Sequence, residues 1–378
     1  MSEKKISLKA SHITSIRQLF RSMTAAEYVS PPPFRDVPVD ILRGSAIAIM
    51  VCANLIPYAL ALPVPFWLRL VSSVAAPLFI FISGMMVALS CSTKNRTFRY
   101  YLIRGGFVIL IAALLDLGVQ GLLPFVSVDV LYLIGISLPL AWLFLTLGLR
   151  ARMLVITSVL VATPVLQSFW GYGALPIQVP FFPLLSGAAL PGPAIVIHQW
   201  LIDGWFPLFP WIVLSLLGAQ AGSFRWRDGT IVSFARREFS LLAGGLFVAG
   251  ALFLYLWPGA MLTRYGYVEL FYPPTIEFLL VITGLIFCLF ALADYLVAEG
   301  FRSDFLRAMG ECSLAIYILH ILVIGVLIAP LGLSFPLPLF LGTYILLLAG
   351  MILTAYLIRY IRGILKAPSF VVRVLIGG

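Results

Sequence analysis

The stretch from Trp67 to Leu89, WLRLVSSVAAPLFIFISGMMVAL, decides what kind of protein this is. It carries one charge, Arg69, and then 20 residues with none. As a helix rising 1.5 Å per residue, those residues span about 30 Å, the thickness of a bilayer's hydrocarbon core. Runs of the same character recur on both sides of it. They lie at residues 41–62, 67–89, 101–117, 126–149, 153–170, 205–222, 239–257, 276–296, 312–331 and 338–358. The third is the shortest and has room to extend in either direction. The whole 378-residue chain is 62% hydrophobic and only 11% charged. A soluble domain has roughly 25% charged residues, so this chain cannot cover a water-facing surface. An ordinary soluble enzyme, a disordered chain and a secreted disulfide scaffold are excluded. The expectation is an all-α, polytopic integral membrane protein with about ten transmembrane helices.

The charges test that count independently, because cytoplasmic loops collect Lys and Arg. With the N-terminus inside, 23 of the 25 Lys and Arg fall on one face, leaving out only Arg69 and Arg264. A miscount by one span would scramble every later loop. Both termini are therefore expected to be cytoplasmic. The net charge of +10 follows mostly from this asymmetry and does not call for a nucleic-acid partner. The expected organisation is a basic segment at 1–38, a transmembrane domain at 39–365 and a tail at 366–378. No apolar signal-peptide core is visible in the first 40 residues. Residues 5–23 (KISLKASHITSIRQLFRSM) read either as a basic amphipathic helix on the anionic leaflet or as a disordered tail.

Cys52, Cys91, Cys288 and Cys312 sit in or beside apolar runs without metal-ligand spacing. They are expected to be buried thiols, and no metal site is expected. Walker, dinucleotide-binding, HExxH and GxSxG motifs are absent. The longest outer connection, residues 171–204, has no Lys or Arg and is rich in Pro, Gly and aromatics. A loop this long and apolar is expected to pack as a lid or half-inserted cap.

Polar side chains inside spans are costly and mark function. Asn54 lies deep in the first run, where its amide offers hydrogen bonds either to a developing oxyanion or to a neighbouring helix. His320 lies near the middle of the ninth run, suited to general base or structural histidine. His198 in the outer loop, five residues before Asp203, has the same two readings. Asp40 and Arg43 open the first run on one helix face, either paired with each other or contacting a phosphate-bearing ligand. Asp116 and Asp129 flank a short outer loop, where solvation is the expected state and a sugar amine the alternative.

Several of these positions stand in a series of short words. These are Val39-Asp40-Ile41-Leu42-Arg43-Gly44 running on to Asn54, then Ala76-Pro77-Leu78-Phe79-Ile80-Phe81-Ile82-Ser83-Gly84. Phe206-Pro207-Leu208-Phe209-Pro210-Trp211, Tyr272-Pro273-Pro274-Thr275 and Ser313-Leu314-Ala315-Ile316-Tyr317-Ile318-Leu319-His320 follow. Together, over about residues 35–325, they resemble the heparan-alpha-glucosaminide N-acetyltransferases and their bacterial relatives. In the O-acyltransferase branch the first helix usually ends in His, where this chain has Asn54.

The resemblance implies transfer of an acetyl group from cytosolic acetyl-CoA across the membrane to an amino sugar or glycan on the outer side. Asp40, Arg43, Lys94, Arg96 and Arg99 would hold the CoA moiety at the inner mouth. Asn54 would hold the thioester oxygen, and His320 or His198 would serve as base or polar support. The animal enzymes place a catalytic histidine about a dozen residues past the asparagine; here residues 55–67 (LIPYALALPVPFW) contain none. An O-acetyltransferase of the broader superfamily and a transporter or flippase for a lipid-linked glycan are the alternatives. The topology implies the inner membrane if the chain is bacterial and an organelle membrane if it is eukaryotic. A homodimer is compatible with the sequence but not indicated by it.

Overall fold

A computed structural model describes residues 35–364 except 95, 174–175, 186, 188, 228, 257–269 and 271–273, together with residue 372. The expected interfacial helix at 5–23, nearly all of the tail at 366–378, and Tyr272-Pro273 lie outside the described residues. Among those described there are no strands, only the isolated bridges Leu60–Phe335 and Leu122–Pro180. The helices are α1 (Val37–Ala59), α2 (Phe66–Lys94), α3 (Phe98–Leu115), α4 (Val130–Thr146) and α5 (Leu149–Trp170). Two short helices follow, α6 (Phe181–Leu185) and α7 (Pro193–His198), then α8 (Leu208–Arg225), α9 (Arg237–Leu256) and α10 (Ile276–Ala298). The last are α11 (Asp304–Glu311), α12 (Ser313–Leu322) and α13 (Leu337–Ile364).

Eight of these, with the extensions of α3 and α12, are long and apolar enough to cross a membrane. A pair bent by 48°, Pro193–Asp203 with Leu208–Arg225, makes up to nine, and α4 is apolar but shorter. Each of the ten expected runs therefore holds a helix, and the chain is an integral multi-pass membrane protein. The differences lie at the ends. α3 starts earlier than expected and runs on through the π-helical turn Asp116–Gln120, so the shortest run is α4, not α3. α4 starts at Val130 rather than Val126 because Phe125 and Val128 have positive φ, 69° and 55°, which ends any helix there. Asp129 then caps α4 through the Val130 N–H. The ninth run is not one regular helix, since α12 passes into the π turn Val323–Ile328 and the 3-10 turn Ala329–Leu331. The amphipathic α11 was not expected.

Burial separates inner from peripheral helices. α1 and α2 bury 72% and 61% of their apolar windows; α5 and α9 bury 11% each. Side chains such as Leu154, Val161 and Phe169 on α5 are exposed, as suits a lipid-facing surface where helices satisfy their own backbone. The inner helices cross at glycines. A Cβ on Gly84 would strike the Ser215 carbonyl oxygen, and one on Gly218 would strike that of Phe81, so α2 and α8 touch backbone to backbone. Gly44 and Gly310 do the same for α1 and α11, against Leu306 and Asp40. Below these crossings Arg225, wholly buried, is held by Asp36 before α1 and by Asp294 of α10 at 2.7 and 2.9 Å. Asp36 also takes the Trp226 indole N–H and caps α1. One buried cation thus ties three helices together.

All four cysteines are free; Cys52 and Cys312 are buried as expected, Cys91 is partly buried, and Cys288 is exposed. The long connection at 171–204 is stitched to residues 121–129. Leu123 N–H donates to Val179 O, Phe181 N–H to Gly121 O, and the Trp200 indole to Phe125 O. This connection, the lid, is thereby fastened to the segment between α3 and α4.

Candidate active site

At the end where α1 begins, α1, α2, α3, α4 and the α11–α12 junction enclose a cavity of about 680 Å³, the size range of small-molecule sites. Its mouth carries Arg35, Arg43, Lys94 and Arg104 beside Asp40 and Glu311; its depth is apolar, with Ile82, Val108, Leu131 and Ile134. Asp40 receives Arg35 at 2.8 Å and Arg43 at 2.9 Å. The Arg43 Nε is buried and has no hydrogen-bond partner among the described residues, an unsatisfied donor at a basic mouth. Glu311 is 2% exposed and ringed by Arg35, Arg307, Arg359 and Arg362. Burial pushes its carboxyl up, but Arg359, Arg35 and Arg362 outweigh this and hold it at about 2.

Three of the five expected mouth residues, Asp40, Arg43 and Lys94, line the cavity; Arg96 and Arg99 do not. Arg96 precedes α3 and lies over the Tyr100 ring at 4.7 Å, with its carbonyl held by the Trp142 indole. Arg99 points to the exposed side. Arg104, one turn further along α3, takes their place, with Nη1 3.3 Å from the Tyr100 hydroxyl. Once the start of α3 is fixed at Phe98, the i,i+4 spacing of Tyr100 and Arg104 places both on one helical face.

Asn54 and His320 meet. The Asn54 Nδ2 lies 2.9 Å from His320 Nε2, and His320 Nδ1 lies 3.0 Å from the Ile316 carbonyl oxygen. A carbonyl only accepts, so Nδ1 carries the imidazole hydrogen and Nε2 accepts from the Asn54 amide. His320 is fully buried, with both ring nitrogens engaged. The cavity stops short of this pair. Its wall there is Phe79, which stacks on Tyr317 at 6.5 Å, and the Tyr317 ring meets His320 edge-on at 5.1 Å.

Tyr317 carries the contact onward, because its hydroxyl donates to Asp129 Oδ2 at 3.1 Å. Asp129 Oδ1 accepts the Val130 N–H at 2.6 Å. Burial raises the Asp129 carboxyl above its ordinary value, against these two donors. Asp116 is 1% exposed and accepts from the Tyr132 hydroxyl at 2.6 Å. Both carboxylates were expected in solvent; the fold buries Asp116 beside Tyr132, 16 residues on, and partly buries Asp129 under Tyr317, 188 residues on. His198 lies on the lid instead, with Nε2 3.1 Å from Gly171 O and Nδ1 4.0 Å from Asp203. The structure thus brings Asn54 and His320 together and leaves His198 apart.

A family model described as heparan-alpha-glucosaminide N-acetyltransferase, catalytic, matches residues 35–258. The match takes in Arg35, Asp40, Arg43, Lys94 and Arg104 of the cavity mouth together with Asn54 and Asp129, and ends before Glu311 and His320. No curated protein matches the chain.

Proposed function

The chain belongs to the heparan-alpha-glucosaminide N-acetyltransferase catalytic family, which makes it a membrane acetyltransferase, and on that premise we propose its donor, its acceptor side and its catalytic groups. The donor is acetyl-CoA, entering from the cytosol at the basic mouth; the acceptor is an amino sugar or glycan reached from the lid side. The expected topology of ten crossings with both termini cytoplasmic would put the Lys- and Arg-bearing connections on the donor's side.

The cavity carries this reading. It joins a cationic mouth to an apolar shaft, and the buried Arg43 Nε, without a partner among the described residues, is a donor suited to a phosphate oxygen. Arg35, Lys94 and Arg104 add positive charge there, while Asp40 orients Arg43 rather than touching the nucleotide. The bound donor supplies an activated acetyl thioester. At the far end Asn54 has two amide hydrogens. His320 accepts one and so fixes the amide's orientation, which leaves the second for the thioester oxygen as negative charge develops. The Ile316 carbonyl fixes the tautomer that lets His320 accept. Phe79 must turn away from Tyr317 for the acetyl group to arrive.

Calorimetric titration of the detergent-purified protein with acetyl-CoA tests the reading. Micromolar binding weakened about tenfold or more in Arg43→Ala, but unchanged in Arg96→Ala and Arg99→Ala, is expected. Absence of binding by the folded wild type overturns it.

A further inference from the structure

Transfer to an amine needs a group to take the nucleophile's proton, and neither histidine presents a free ring nitrogen beside Asn54. His198 is on the lid with Nε2 on Gly171 O, and His320 is fully buried with both nitrogens engaged. Residues 55–67, following Asn54, contain no histidine.

We infer that Asp129 is the general base of the transfer, held in place by Tyr317 and receiving the proton of an ammonium-bearing acceptor. The inference rests on the proposed function above. Three observations converge on it. Asp129 stands at the head of α4, and Leu131, two residues on, lines the deep end of the donor cavity. Tyr317, which holds the Asp129 carboxylate, also touches His320 and the cavity wall at Phe79. Asp129 is therefore joined through Tyr317 and His320 to Asn54 by an unbroken chain of contacts. Each Asp129 oxygen accepts one hydrogen bond from within the fold, leaving acceptor capacity for an ammonium. The backbone leading to it is strained and pinned. Val128, β-branched, sits at φ 55°, while Ser127 O and Val128 O accept from Trp205 and Phe206 N–H.

The step balances as follows. The Asp129 carboxylate takes one proton from R–NH₃⁺, giving R–NH₂ and the carboxylic acid. The amine nitrogen forms the C–N bond to the acetyl carbon, and the C–S bond breaks. Sulfur leaves with the electron pair and takes the second proton shed by nitrogen as the free thiol. The Asp129 acid then returns its proton to water on the lid side.

Asp129→Asn is the decisive variant, since Asn caps a helix as well as Asp does and removes the charge alone. With glucosamine as acceptor, its transfer rate is expected to fall about 10²-fold or more. Acetyl-CoA affinity should stay at the wild-type value. An arylamine, already neutral at pH 7, should lose less, and formate should restore activity to Asp129→Ala. Glucosamine titrated into the CoA-saturated protein should bind at least tenfold more weakly to Asp129→Asn. Tyr317→Phe should raise the glucosamine KM without weakening acetyl-CoA. Asp129→Asn with wild-type transfer and glucosamine binding overturns the inference and leaves the proposed function standing. A wild type that binds no acetyl-CoA overturns the proposed function itself.

Discussion

The Asn54 amide donates to His320 Nε2 at 2.9 Å across 266 residues of sequence, and His320 is locked to the Ile316 carbonyl on its other side. Two polar groups inside a membrane bundle thus satisfy each other, and one amide hydrogen of Asn54 remains to be used.

If that hydrogen stabilises the oxyanion, Asn54→Ala lowers kcat by about 10²–10³ with acetyl-CoA affinity unchanged. His320→Ala, which frees the amide to rotate, should cost a similar factor, and His320→Gln should recover part of it. Steady-state acetyl transfer beside calorimetric titration checks this. His320→Ala at the wild-type rate would show that the histidine only fills space.

The Arg225 cluster should govern stability rather than chemistry. Arg225→Ala leaves Asp36 and Asp294 buried at 4% and 8% exposure without their cation. Removing one partner of a buried pair costs about 3–5 kcal/mol, so the thermal midpoint in detergent should fall steeply. A midpoint within a degree or two of wild type contradicts the assignment.

Two glycine substitutions should differ in sign. Gly84→Ala drives a methyl into the Ser215 carbonyl and should destabilise by about 1–3 kcal/mol. Gly244 on α9 has nothing among the described residues within 4 Å of its would-be Cβ, so Gly244→Ala should be neutral or stabilise by up to about 1 kcal/mol. Thermal midpoints of the two variants decide it, and equal losses would contradict the backbone-to-backbone crossing.

The four arginines around Glu311 predict a pH dependence. Its folded value, about 2, is depressed from 4.5. Its contribution to stability is therefore complete above about pH 4.5 and is lost as pH falls from there through about 2. The midpoint difference between wild type and Glu311→Gln should be constant from pH 8 to about 5.5 and narrow below about 4.5. A difference that changes between pH 8 and 6 would point to another group.

Much of the fold is legible because the bilayer enforces it: an apolar run of about 20 residues has few alternatives to a helix. What escapes is local breakage. Positive φ at Phe125 and Val128 delays α4, and neither residue type announces it. Asn54 and His320 stand out singly as polar groups in apolar runs, but their contact depends on how α1 and α12 pack. Arg96 and Arg99 look equivalent to Arg104 as charges. Only the start of α3 at Phe98 decides which of them turns toward the cavity. Asp129 looks like a solvated loop carboxylate until Tyr317 arrives from the far end of the chain.

The central claim is transfer across the membrane, and sealed vesicles test it most directly. Protein is reconstituted with radiolabelled acetyl-CoA on the side of the basic mouth and glucosamine only on the lid side. The account predicts labelled N-acetylglucosamine on the lid side, lost in Asn54→Ala and weakened in Arg43→Ala. Product that forms only when both substrates share one side, or none from a protein that binds acetyl-CoA, would contradict it.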